Sequence, residues 1–161
     1  MKEDWEKAIA FVLKMEGGYT LDPNDPGGET NFGISKKAYP SLDIKSLTMA
    51  EAMDIYRRDY WAPCACDDLP APFAIMVFDT AVNQGPTIAK HLLQIALGVN
   101  VDGVIGEATL TAALRASERA PKLYLAERLA AYARTMVEHP NLLQYARNWF
   151  FRVLSLSELV A

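Results

Sequence analysis

The sequence predicts a mostly α-helical fold with one small β-ribbon near residues 19–34. Three observations carry this. Apolar residues recur at intervals of three and four along most of the chain, no stretch alternates convincingly between apolar and polar positions, and proline and glycine punctuate the periodic segments.

The elements follow in order. Trp5, Ala8, Ile9, Val12 and Leu13 line one face of a first helix over residues 4–15. Gly17-Gly18 ends it, because glycine accepts the left-handed backbone just past a helix C-terminus. A short helical turn is expected after Ile34, stopping at Pro40. Thr48 and Glu51 form a capping box that opens a helix reaching to about Trp61. Residues 63–72, with three prolines, read as an irregular connection. The apolar run after Pro72 predicts a buried helix broken at Asn83-Gln84-Gly85-Pro86, and a further helix covers residues 87–97. Residues 101–106 read as a turn and 107–115 as a helix. Pro121, Leu123, Leu125, Leu129, Tyr132 and Met136 carry a long helix to His139-Pro140. Asn141 is the expected N-cap of a last helix holding Tyr145, Trp149, Phe150 and Val153.

At 161 residues, 51% hydrophobic and 22% charged, the chain is long enough for one domain with a substantial core. Its net charge of −4, with acids and bases interspersed, argues against a nucleic-acid binder, which needs a basic stripe to release counterions. No run reaches the roughly eighteen apolar residues of a membrane span, so no stable membrane insertion is expected. Asp4, Glu6 and Lys7 break up any apolar leader, so no signal peptide is expected. Cys64 and Cys66 stand one residue apart, where a bridge would be strained, so free thiols in a reducing compartment are the expectation. His91 and His139 are at no ligand spacing, and no metal or other cofactor is expected.

The segment from Glu16 to Ser35, EGGYTLDPNDPGGETNFGIS, departs from the rest. A polar loop this long is costly to order, and such loops are usually kept for a task. Glu16 closes the first helix beside Met15, Val12 and Leu13. Apolar surroundings disfavour a carboxylate and raise its pKa, which suits an acid that must donate a proton near neutral pH. The plainer alternative is a solvated residue in a last helical turn, mildly opposed by the helix dipole. Asp25, nine residues later, is a candidate second carboxylate, as base for water or stabiliser of an oxocarbenium-like state. Aspartates among Pro, Asn and Gly also build turns, which is the better reading of Asp22. Thr30 either holds a water through its hydroxyl or is simply a ribbon residue.

The run Glu16-Gly17-Gly18-Tyr19, Asp22-Pro23-Asn24-Asp25-Pro26-Gly27-Gly28, Thr30 and Phe32-Gly33-Ile34-Ser35 closely resembles the signature of glycoside hydrolase family 108. That family comprises lysozyme-like N-acetylmuramidases of phage endolysins and of bacterial proteins once labelled secretion activators. The resemblance implies a lysozyme-like helical fold with Glu16 as catalytic acid, and Asp25 and Thr30 fit the Glu–Asp–Thr arrangement of phage-type lysozymes. Phe78 to Gly85 is similar to the Asp-x-Ala-x-Asn-x-Gly segment lining the cleft in such enzymes. Asn83 and Gln84 would present amides to sugar hydroxyls or acetamido groups, while Gly85 and Asp79 read as structural. A buried Asp79 would need a hydrogen-bond partner.

Asp102-Gly103-Val104-Ile105-Gly106-Glu107-Ala108-Thr109 resembles an element of peptidoglycan-binding helical modules, which makes Asp102 a candidate substrate contact. The expected organisation is a lysozyme-like catalytic region over residues 1–97 and a peptidoglycan-binding-like region over 98–161, packed as one compact unit. Residues 147–153 resemble the family's C-terminal Trp-containing segment, where Trp149 either stacks on a sugar ring or belongs to the core. Tyr19, beside Glu16, is the more direct saccharide contact.

The function implied is hydrolysis of the β-1,4 bond between N-acetylmuramic acid and N-acetylglucosamine in peptidoglycan. Two alternatives stay open: a lytic transglycosylase, and a non-catalytic cell-wall-binding protein that keeps the lysozyme fold. An amidase or endopeptidase lacks the His, Cys or Ser constellation it needs. The expected setting is a bacteriolytic endolysin, of phage or prophage origin. It is made in the cytoplasm and released through a holin-type pore to act on the wall.

Overall fold

The computed structural model describes residues 2–21 and 28–161. Among them are seven α-helices and one three-stranded antiparallel sheet of order β1-β2-β3. Helix α1 (Lys2–Glu16) buries Trp5, Ala8, Ile9 and Val12. It ends where the Gly17 N–H donates to the Leu13 carbonyl, with Gly17 at φ +78°. Strands β1 (Thr20–Leu21), β2 (Glu29–Asn31) and β3 (Ile34–Ser35) follow, with Thr20 opposite Thr30 and Thr30 opposite Ser35.

The short helical turn expected after Ile34 is present. A single turn closes there when the Tyr39 N–H donates to the Ser35 carbonyl, and Pro40, without an N–H, stops it from propagating. Helix α2 (Met49–Tyr56) opens on the capping box read from the sequence. The Glu51 N–H donates to Thr48 Oγ1 at 3.3 Å, and the Thr48 N–H donates to Glu51 Oε2 at 2.9 Å. The chain then passes through a π-helical turn (Arg57–Trp61) and a 3-10 turn (Ala62–Cys64). This wider winding sets Trp61 edge-on to Trp5 and Phe78, with ring centroids 5.2 and 5.4 Å apart.

Helix α3 (Ala71–Gln84) is the central element, buried continuously from Phe73 to Ala81. Around it pack α1, α4 (Pro86–Leu97) and α6 (Ala120–Glu138); α5 (Glu107–Leu114) rests on α4, and α7 (Ala146–Leu159) packs along α6. Asn141 does not cap the last helix. Pro140–Tyr145 winds into a 3-10 turn, closed early by the bond from the Leu142 N–H to the His139 carbonyl, and α7 starts only at Ala146. Cys64 and Cys66 are free and buried, and burial pushes the Cys64 thiol up to about 11. Thiols so placed are poor nucleophiles. No helix among the described residues is long and apolar enough to cross a membrane.

Candidate active site

Glu16 is the last residue of α1, where Gly17 turns the chain toward the sheet. The β2–β3 hairpin lies directly against it. Its two-residue turn, Phe32-Gly33, has φ of +51° and +78°, the pair of left-handed conformations that a tight hairpin requires. A Cβ on Gly33 would stand 2.6 Å from Tyr56 Oη and 2.7 Å from Glu16 Cγ, so only glycine lets the turn close over the acid. Phe32, a bulky residue in a conformation that costs it energy, is held by Tyr56 Oη donating to its carbonyl at 2.7 Å. Burial first, and then the Glu16 charge, push the Tyr56 phenol well up, which keeps it a donor. Buried Asn31 ties the hairpin to the next segment, its Nδ2 donating to the carbonyls of Ile44 (3.1 Å) and Leu47 (3.3 Å).

The apolar setting expected for Glu16 from Met15, Val12 and Leu13 is only part of its surroundings. Arg152 on α7 donates Nη1 to Glu16 Oε1 at 2.7 Å across 136 residues of sequence. The Glu16 side chain keeps 22% of its surface exposed, against 8% for Arg152. The reason lies in α7 itself. Arg152 shares a buried face with Val153 and Leu156, and a guanidinium so placed must find anions. Its second anion is Asp79 on α3, whose Oδ1 is 2.7 Å from Nη2.

Asp79 is 1% exposed, and Arg128 of α6 grips its other oxygen at 2.6 Å. Burial alone would push the Asp79 carboxyl up, but the guanidinium charges of Arg128 and Arg152 outweigh it and hold the group below the usual carboxylate range. Arg128 also donates Nε to Gln84 Oε1 (3.1 Å) and Nη2 to Tyr132 Oη (3.2 Å), and Tyr132 Oη in turn donates to Asn83 Oδ1. Glu16, Arg152, Asp79 and Arg128 therefore form an alternating row of formal charge zero that ends on the amides of Asn83 and Gln84.

An open groove of about 310 Å³ lies beside this row, lined by Met15, Asn83, Tyr145, Asn148, Trp149, Phe151 and Arg152. Trp149 stacks on Tyr132 at 4.8 Å and lies nearly parallel to Tyr145 at 6.1 Å. A flat aromatic wall, the amides of Asn83 and Asn148 and the Arg152 guanidinium make a surface suited to a polar ring with an apolar face.

The other residues singled out in the sequence fall in different places. Tyr19 is exposed and donates its hydroxyl to Glu29 Oε1 at 2.9 Å, a bond that with slight burial and the Glu29 charge pushes its phenol up. Thr30 is half-buried in the middle strand. Asp22 and Asp25 lie outside the described residues. Asp102 sits in the turn before α5, accepting from Gln94 Nε2 (2.7 Å) and the Val104 N–H (2.9 Å). Its bonds run within that turn and to α4, not to the groove.

Residues 9–85 match the family model described as Glycosyl hydrolase 108. The solved structure of Brucella abortus SagA is similar over 99% of this chain and 95% of its own, at 34% identity and a TM-score of 0.84. The chain belongs to glycosyl hydrolase family 108. No curated protein matches it. The likeness to SagA reaches past residue 85, over the helices that carry Arg128 and Arg152.

In this family 108 hydrolase, sequence reasoning missed Arg128, Arg152, Tyr132, Tyr56 and Asn31 around the acid. Two of them left a signal. Arg128 falls on one helical stripe with Tyr124, Leu125 and Tyr132, and Arg152 on another with Trp149, Val153 and Leu156. A cation on an apolar stripe needs a buried anion, and Asp79 in its apolar run is the obvious complement.

Proposed function

We propose that this family 108 hydrolase cleaves the β-1,4 bond between N-acetylmuramic acid and N-acetylglucosamine of peptidoglycan, with Glu16 as general acid. The observation that carries the reading is the position of Glu16. It is a half-buried carboxylate with one oxygen fixed by Arg152, and Arg152 and the adjacent Met15 line a groove that also holds Trp149, Asn83 and Asn148.

In the reaction, Arg152 occupies Oε1, so the proton rides on Oε2 and passes to the glycosidic oxygen as the bond from the muramic C1 breaks. Positive charge builds on the sugar ring, and water completes the hydrolysis. Arg152 holds the conjugate carboxylate in place once the proton has left, and Asp79 limits how strongly it does so by sharing the same guanidinium. Asp25 is the second carboxylate of the proposal, and Thr30 holds a water through its hydroxyl. Trp149 and Tyr19 face the sugars. Asn83 and Gln84, whose carbonyl oxygens are engaged by Tyr132 and Arg128, keep their NH2 groups for acceptors on the glycan.

The decisive variant is Glu16→Gln. Turbidity loss and reducing-end release from purified sacculi should fall by about 10²–10⁴-fold, the usual worth of a positioned general acid. Asp25→Asn should lose less. Activity undiminished in Glu16→Gln ends the proposal. Anhydro products in mass spectrometry would reassign the chain as a lytic transglycosylase, and sacculus binding without new reducing ends would make it a wall-binding protein.

A further inference from the structure

The groove beside Trp149 shares part of its wall with another space. Met15 and Phe151 also line a second, larger hollow of about 630 Å³ running along the seam of α1 and α7, completed by Phe11, Lys14, Ser155, Glu158 and Leu159. The two spaces are neighbours, with Met15 and Phe151 lining both. The second differs in chemistry: Phe11, Met15, Phe151 and Leu159 make its walls mostly apolar, and Phe151 is 63% exposed. Apolar surface left open in one stretch marks a contact site.

Two opposite charges, Lys14 and Glu158, stand in this hollow, both exposed, and neither makes an ion pair with a described side chain. Sugar rings are held by aromatic faces together with closely set amides; the first groove has Asn83 and Asn148 beside Trp149, whereas this hollow has Phe11 and Phe151 but no side-chain amide. An apolar trough with one free cation and one free anion is complementary to a short peptide that carries a carboxylate and an amino group. Peptidoglycan differs from a plain β-1,4 glycan in having such a peptide on the lactyl group of each muramic acid. A glycan seated beside Trp149 with its scissile bond at Glu16 has this hollow next to it.

Resting on the muramidase reading, we infer that the α1–α7 hollow is a subsite for the peptidoglycan stem peptide, with Lys14 receiving a peptide carboxylate and Glu158 an ammonium. The substrate is then peptide-bearing glycan, not naked glycan.

The test is binding to the Glu16→Gln variant, so that turnover plays no part. Calorimetry compares the N-acetylglucosaminyl-N-acetylmuramic acid disaccharide with the same disaccharide bearing its tetrapeptide. The peptide form should bind about tenfold more tightly, a gain of about 1.4 kcal/mol. Adding Lys14→Glu or Glu158→Lys should cut that gain to about threefold or less, with the helical circular dichroism unchanged. A reduced gain in either charge reversal supports the subsite. Equal affinity for the two ligands, or a full gain retained in both reversals, overturns it. Saturable binding of phosphatidylglycerol vesicles that these reversals abolish, without a peptide effect, would assign the hollow to a lipid surface instead. Because cleavage is read separately in sacculi, a peptide preference in a chain whose Glu16→Gln variant still cleaves would leave the subsite standing and remove only the role of Glu16.

Discussion

Asp79 and Asp102 are both aspartates with both oxygens engaged, and they draw their partners from opposite scales. Asp79 takes Arg128 and Arg152 from 49 and 73 residues away. Asp102 takes Gln94, Asn100 and Val104 from eight residues or fewer. Asp79 is dehydrated and joins α3, α6 and α7 behind Glu16, whereas Asp102 stays exposed and closes one turn. The difference separates the two uses of a carboxylate in this fold. The local one shapes a loop, and the distant one decides where the arginine that holds the acid can stand. A buried pair adds little net stability over apolar packing, but losing one partner leaves the other charge stranded.

Breaking the distant cluster should therefore have the largest effect. Asp79→Ala leaves two buried guanidiniums short of an anion and should lower the unfolding free energy by about 3–5 kcal/mol, read from urea denaturation. In a domain whose whole stability is about 5–15 kcal/mol, that brings the variant near the edge of folding. Glycan cleavage should fall as well, since Arg152 loses the contact that aims it at Glu16. A loss below about 1 kcal/mol would mean the cluster tolerates an unpaired charge and plays no organising part.

The same cluster sets a pH window. The Asp79 carboxyl, pushed up by burial, is held by the two guanidiniums below its unfolded value of about 3.9. A depressed carboxylate contributes its stability in full above that unfolded value and loses it as the pH falls through the folded one. The urea midpoint of the wild type should hold between pH 7 and about 5 and decline below about 4. Asp79→Asn, which cannot titrate, should flatten that decline. An equally steep decline in the variant would place the acid sensitivity elsewhere.

The same division explains what could be read from the chain directly. The Thr48–Glu51 cap, the glycine stop after Glu16 and the break at Gly85-Pro86 depend on neighbours within four residues, and all three stand where the sequence put them. The single turn before Pro40 also stands as expected, whereas the segment after Pro140 is a 3-10 turn and not the cap expected at Asn141, because proline's effect there depends on which carbonyl is within reach. Glu16 was legible as an acid at a helix end beside a long loop. Its real neighbours were not. Tyr56, Arg152 and the Phe32-Gly33 turn reach it only after α2, α7 and the hairpin have packed, and no local pattern encodes that meeting. Arg128 and Arg152 showed a trace, as cations on apolar stripes, without naming their partner.

Gly33 tests the hairpin side of the acid, where distant packing and local geometry meet in one residue. Gly33→Ala adds a Cβ within 2.8 Å of Glu16 Cβ and of Tyr56 Oη, at a φ of +78° that alanine adopts poorly. The strain should amount to about 1–3 kcal/mol, less than the loss at Asp79. Cleavage should drop further than stability accounts for, because the turn can relax only by moving Glu16 or Tyr56. Wild-type cleavage in a folded Gly33→Ala protein would show that the hairpin does not position the acid.

Asp102→Ala should give the smallest effect. Its carboxyl is exposed, and the Gln94 bond first, then the Val104 N–H, hold it below the usual range, so some order in the turn is lost with it. Gln94 is not left stranded, since its Nε2 also reaches the Val104 carbonyl at 3.1 Å and Thr109 Oγ1 at 3.3 Å, and its Oε1 keeps the Gly103 N–H at 2.8 Å. The melting temperature should fall by about 2 °C or less, within the range of surface substitutions. That small cost makes the variant a clean probe of the C-terminal region. If Asp102 touches peptidoglycan, sacculus binding falls while stability hardly moves; if the residue only shapes its turn, binding follows stability and stays near wild type. A stability loss approaching that of Asp79→Ala would erase the contrast between the two aspartates, the local one shaping a turn and the distant one supporting the acid.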